Sequence, residues 1–178
     1  MKSLVTAFLL LGATASAQLL APPPPEPAPE KPKAPDFGKW QVTQGRSHKD
    51  GSPTLAATLA SDAPLHTDAR DSIPTLVCRF KDKEIDAYIA FGNFVGSDSV
   101  KLLIIRGDQD PEEESWVVSE DGTIAFGPDD AISFMHSLAA VDKVTFRINR
   151  PNRDPIVVTF TPKGITAVID AILKTAAK

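Results

Sequence analysis

From Trp40 onward, apolar and polar residues alternate with a period of two over several short runs. Leu76, Cys78 and Phe80 alternate with Val77 and Arg79, and the polar turn Lys81-Asp82-Lys83 follows. Ile85, Ala87, Ile89 and Phe91 then alternate with Asp86, Tyr88 and Ala90. Successive strand side chains point to opposite faces, so the two runs predict a hairpin with one buried face. Trp40-Gln41-Val42 opens the pattern, and Leu55 to Leu59 repeats it weakly. Val100 to Ile105 is more continuously apolar, as in a strand near the centre of a sheet. Trp116-Val117-Val118 and Ile124 with Phe126 flank Asp121-Gly122. That dipeptide predicts a two-residue hairpin, because a type I′ turn needs positive φ at both central residues. Val144-Phe146-Ile148 and Ile156-Val158-Phe160 form a last hairpin around Arg150 to Pro155.

Two stretches switch to helical spacing. Pro128-Asp129-Asp130 leads into Ile132, Met135, Leu138 and Ala139, with acidic residues where a helix dipole is positive. Near the end, Ile165, Val168, Ile169, Ile172, Leu173 and Ala176 make one apolar stripe. Thr161 is expected as its cap and Pro162 at its first position. The stripe must bury against the sheet. The predicted class is α+β: an antiparallel, sheet- or sandwich-like domain over 37–178, with one short internal helix and a C-terminal amphipathic helix packed on the sheet.

The start of the chain reads differently. A lysine, an apolar run from Leu4 to Leu11 and the sequence Ala15-Ser16-Ala17 have the three parts of a secretory signal. Residues 1–17 are therefore expected to be cleaved after Ala17, leaving a periplasmic or secreted product. The run is shorter than the roughly 20 residues that a spanning helix needs, and no integral span is expected afterwards. Residues 18–36 follow as a lead, with eight prolines between 21 and 35. Such a tract favours polyproline II, reaching roughly 45 Å at about 3.1 Å per residue, and acts as a spacer.

The formal charge of −4, from 19 basic and 23 acidic residues, argues against nucleic acid as a partner. Cys78 is the only cysteine, so no internal disulfide forms. A buried thiol is the expectation, and a bond to a partner is the alternative.

Chemistry-bearing residues are sparse. His48, His66 and His136 have no metal-ligand spacing. Ser133 with His136, and Ser119 with Asp121, lack a nucleophile elbow. Asp108, Asp110 and Glu112 begin a run of five carboxylates in seven residues, the best cation candidate, although a solvated loop suits it better. No catalytic set and no cofactor are expected. Tyr88 and Phe94, the latter between Gly92 and Gly96, are candidate partner contacts. Arg147, Arg150 and Arg153 are a candidate basic patch.

One series spans roughly residues 37–174. It runs from Trp40-Gln-Val42 through Leu76-Val-Cys78-Arg79, Glu84-Ile-Asp-Ala-Tyr-Ile89, and Gly92 to Gly96. It continues with Trp116-Val-Val-Ser119-Glu-Asp121-Gly122-Thr-Ile-Ala-Phe126, Phe134 with Leu138, Asp142-Lys143 and Phe160-Thr-Pro-Lys-Gly164. In this the chain resembles the VasI/TagO family of type VI secretion-associated accessory proteins. The resemblance implies an exported, non-catalytic accessory protein with a protein partner in the cell envelope. Members pair the cysteine matching Cys78 with one in the last helix, whereas Leu173 to Lys178 contains none. Two other readings stay open: a hydrolase of an envelope polymer using Asp121, His136 and the acidic run, and a secreted interaction protein outside type VI secretion.

Overall fold

The computed structural model describes residues 34–67, 70–150 and 153–177. The expected signal sequence and most of the proline-rich lead lie outside the described residues. The alternating runs become strands β1 (Gln41–Arg46), β2 (Pro53–Ala60), β3 (Thr75–Lys81) and β4 (Glu84–Ala90). Next come β5 (Ser99–Arg106), β6 (Glu112–Val118), β7 (Ile124–Phe126) and helix α1 (Ala131–Ala139). Strands β8 (Val144–Ile148) and β9 (Ile156–Phe160) and helix α2 (Ile165–Ala176) complete the order.

All nine strands join one antiparallel sheet in the order β1-β2-β3-β4-β7-β6-β5-β8-β9. The fold is the α+β class expected, built as a single sheet. One face is apolar apart from Arg106 and the carboxylates paired with it. Leu55, Leu76, Cys78, Phe80, Ile89, Trp116, Leu102 and Phe146 point inward and are nearly inaccessible to solvent. Trp116 meets Phe134 edge-on at 5.5 Å, and Phe146 bridges this pair to Phe160 at 6.0 Å.

Both helices lie on that inner face. α1 packs on β4, and α2 packs on β2, β3 and α1. Yet α2 follows β9, seven strand spacings from β2, or about 34 Å along a flat sheet. Accumulated twist removes the gap. The Asp62 amide, just beyond β2, donates to the Thr159 carbonyl of β9 at 2.8 Å. The Thr161 hydroxyl donates to Asp62 Oδ2 at 2.9 Å. The sheet thus curls around α2, whose Ile165, Val168, Ile169 and Ile172 fill it.

Three local expectations change. Thr161, spent on Asp62, does not cap α2. Gly164, in the left-handed region at φ 93°, occupies the cap position instead. The Asp121-Gly122 hairpin is not type I′, since only Gly122 has positive φ there. Its amide donates to the Ser119 carbonyl, giving a longer turn closed by one left-handed glycine. The positive-φ pair is Asp82 (53°) and Lys83 (68°), in the polar turn between β3 and β4. Third, the acidic run is a loop only at its start: Asp108 and Asp110 precede β6, and Glu112 to Glu114 belong to it.

Candidate functional site

Because both helices occupy the inner face, the outer face between them and solvent is bare sheet. Register sets what it displays. Val77 lies opposite Tyr88, Tyr88 opposite Phe126, and Phe126 opposite Val117. Directly opposed residues share a face, so these four form a row across β3, β4, β7 and β6. Val77 is buried, Tyr88 half-buried, Phe126 36% exposed and Val117 64% exposed. The Tyr88 and Phe126 rings stand 5.7 Å apart. Burial raises the Tyr88 hydroxyl above its ordinary pKa, and the nearby Arg79 cation partly opposes this.

The next row over ends the apolar strip with charge. Arg79 and Asp86 oppose each other, and Arg79 Nη2 donates to Asp86 Oδ2 at 2.6 Å. The guanidinium also lies 5.3 Å from the Tyr88 ring centre, a cation–π distance. Hydrogen bonding to Asp86 holds the Arg79 pKa above its usual value. The arginine is thereby fixed in position, and it holds Tyr88 in turn.

Phe94 stands at one end of the sheet, 64% exposed. Its loop is stitched from beneath. Buried Asn93 donates to Ser72 Oγ at 2.7 Å, and the Thr67 hydroxyl donates to Asn93 Oδ1 at 2.9 Å. Arg70 Nε donates to the Gly92 carbonyl. The Phe94 ring lies over Gly122, where a Cβ would come within 2.4 Å of it. A glycine at 122 is required both by φ and by this ring.

The other candidates separate. Arg147 is exposed on β8, four strand spacings or about 19 Å from Tyr88 along the sheet. Its Nε donates to Asn149. Arg150 is turned back on the Asp154 carbonyl at 2.8 Å, and Arg153 is exposed. Arg147 and Arg150 are thus each held by a neighbour within the β8–β9 connection.

The acidic run also divides. Glu113 pairs outward with Lys101 at 2.8 Å. Glu112 and Glu114 turn inward to Arg106, whose side chain is 10% exposed. Glu114 Oε2 further accepts from Trp116 Nε1 at 2.9 Å, and Arg106 Nε donates to Ser137. Glu112 is thus an ion-pair partner, and Asp108 and Asp110 lie exposed in the turn before it. Among the described residues no three His, Cys, Asp or Glu side chains converge to hold a metal.

Asp121 serves its own turn. It accepts from the Ser119 hydroxyl at 2.6 Å and from Thr123, and these bonds hold its carboxyl below the ordinary value. His136 is exposed in the last turn of α1. Cys78 is fully buried on the inner face, where desolvation pushes its thiol far above the ordinary range. A sulfur so placed is not available to a partner, which removes the intermolecular disulfide as the chain stands folded.

Phe126 and Val117 were not legible as partner residues in the sequence. Val117 carried a signal, since it alternates with buried Trp116 and Val118. Phe126 carried none: Ile124 and Phe126 read as the apolar phase of β7, whereas the small Ala125 is the residue that is buried. Among the described residues, no helix is long and apolar enough to cross a membrane. Comparison with known proteins returns nothing: no family model matches the sequence, and no curated protein or solved structure matches the chain.

Proposed function

We propose that this chain is an exported, non-catalytic binding protein of the bacterial envelope, and that its partner docks on the outer face of the sheet. The observation that carries the reading is the exposed row Tyr88–Phe126–Val117, backed by the fixed Arg79–Asp86 pair. Aromatic anchors held rigidly beside an arginine are the composition of protein-binding hot spots. The carboxylates and histidines near chemistry-like motifs are engaged in turns and ion pairs or are spread over the surface, which favours binding over hydrolysis. The signal-like start supports export, and the residue series resembling VasI/TagO supports an accessory role in type VI secretion.

Site-specific photocrosslinking tests the docking face. A benzoylphenylalanine at Val117 should yield a discrete adduct in envelope-producing cells. The same group at Leu173, 44% exposed on α2, should not. Equal labelling, or none, at Val117 removes the reading. Deleting the gene in a strain with measurable type VI secretion tests the system assignment, with reduced secretion expected.

A further inference from the structure

The outer face has a second feature, beside the aromatic strip. A trough of about 460 Å³ runs over β1, β2 and β3. Thr43 lies opposite Ala56, and Gly45 opposite Thr54, so the floor is built from three small side chains and a glycine. Larger residues at these outward positions would fill it. Arg79 and Lys81 of β3 form one wall, and the β1–β2 hairpin tip from Arg46 to Lys49 forms the other.

The walls are positive. Arg46, Lys49, Arg79 and Lys81 line the trough, against the single carboxylate of Asp82. Some of these are committed. Arg79 is bound to Asp86, Arg46 Nη1 donates to the Gly51 carbonyl at 2.9 Å, and Asp82 accepts from Ser47. Lys49 and Lys81 are exposed and form no ion pair among the described residues. They face an apolar floor from opposite sides. The floor offers neither an aromatic platform for a sugar ring nor enough cations for a phosphate polymer. Lipid-binding basic segments use about 4–8 lysines and arginines, more than are free here.

We infer that the trough takes an acidic, extended segment of a partner protein. Small apolar side chains of that segment lie along Thr43, Gly45 and Ala56, and its carboxylates meet Lys49 and Lys81. The inference rests on the outer-face reading above and specifies the partner's chemistry. Arg79 joins the two halves of the surface: it walls the trough and touches Tyr88 at the start of the aromatic strip. One partner segment can therefore use both.

The test is panning of a phage-displayed library of random peptides on the full chain. Recovered sequences should be enriched in Asp and Glu over Lys and Arg. A selected peptide, labelled and followed by anisotropy, should weaken about tenfold or more on the Lys49→Glu/Lys81→Glu double variant, and should weaken with added salt. Ala56→Trp should abolish binding by filling the floor, with circular dichroism and melting unchanged as the control for folding. Peptides without acidic enrichment, or peptides indifferent to both variants, overturn the inference. So does stronger binding of the chain to vesicles rich in phosphatidylglycerol than to any selected peptide, provided the same variants abolish it. Crosslinking at Val117 separates the two claims. If the adduct persists in a chain whose trough binds nothing acidic, only the trough fails. If peptides bind and no adduct forms, the strip fails and the trough stands.

Discussion

Individual side chains here are fixed more by what they neutralise than by any reaction. Glu112 and Glu114 show how exposure decides their worth. Both contact Arg106, but Glu112 is 65% exposed and Glu114 is 29% exposed. Water screens the first contact, whereas the second also satisfies Trp116 Nε1. Glu114→Ala should therefore cost ~2 kcal/mol, leaving a mostly buried guanidinium and indole short of acceptors. Glu112→Ala should cost under about 1 kcal/mol. Urea midpoints check this, and equal losses would refute the ranking. Cys78 makes a second case. Its thiol should resist an aromatic disulfide reagent in the native chain and react at once in denaturant. Cys78→Ser should lose ~2 kcal/mol, because a hydroxyl needs a partner that the inner face does not supply. Rapid native labelling would show the inner face to be open. The burial of Cys78 was legible from its phase with Leu76 and Phe80. Its phase could not reveal the carboxylate pairing, because the acidic run carries no mark of which cation each carboxylate finds.

At the level of elements, hydrophobic period located both helices and the hairpins, and turn chemistry located them less well. The type I′ geometry falls on Asp82-Lys83 and not on Asp121-Gly122. The reason is tertiary. The segment between β4 and β5 runs over the β6–β7 turn, and the Val95 amide donates to the Gly122 carbonyl. That contact and the Phe94 ring dictate the longer turn. α1 keeps to local rules. Asp130 caps it, with Oδ1 accepting from the Ser133 amide at 2.9 Å. Hydrogen bonding by Ser133, hydroxyl before amide, lowers its carboxyl below the ordinary 3.8. A depressed folded pKa stabilises above the unfolded value, and the gain disappears as pH falls through the folded one. Asp130→Ala should thus melt earlier than the wild type at neutral pH. As pH falls below the ordinary carboxylate value, the difference between the two should shrink. A gap in melting temperature unchanged between pH 7 and 2.5 would count against a charged cap.

Across the whole molecule, strand order was the least legible property. Alternation says which face a residue takes, not which strand lies beside it. β4 meets β7, and β5 meets β8, only because the β5-β6-β7 meander is inserted between the first and last hairpins. The outer-face row of Tyr88, Phe126 and Val117 depends on that insertion, so the candidate site was hidden for the same reason as the topology. The legible part was Tyr88 itself, in the polar phase of β4.

Curling of the sheet makes a further demand, that the start of the domain and the start of α2 meet closely. They do so through two glycines. A Cβ on Gly38 would stand 2.5 Å from the Lys163 carbonyl oxygen, and one on Gly164 would stand 2.4 Å from the Phe37 carbonyl carbon. Both have positive φ, 57° and 93°. Trp40 Nε1 donates across the same junction to the Pro162 carbonyl at 3.3 Å. Each glycine replaced by alanine meets backbone atoms that cannot rotate away, so each single change should cost ~2 kcal/mol or more. The two collisions are one contact viewed from its two sides. Once Gly38→Ala has forced the segments apart, Gly164→Ala finds part of its space already made. The double variant should therefore lose less than the sum of the singles, by ~1 kcal/mol or more in a double-mutant cycle on urea midpoints. Independent additive losses would mean that strain at each φ, and not the junction between them, sets the cost, and that the curled sheet does not depend on this clasp.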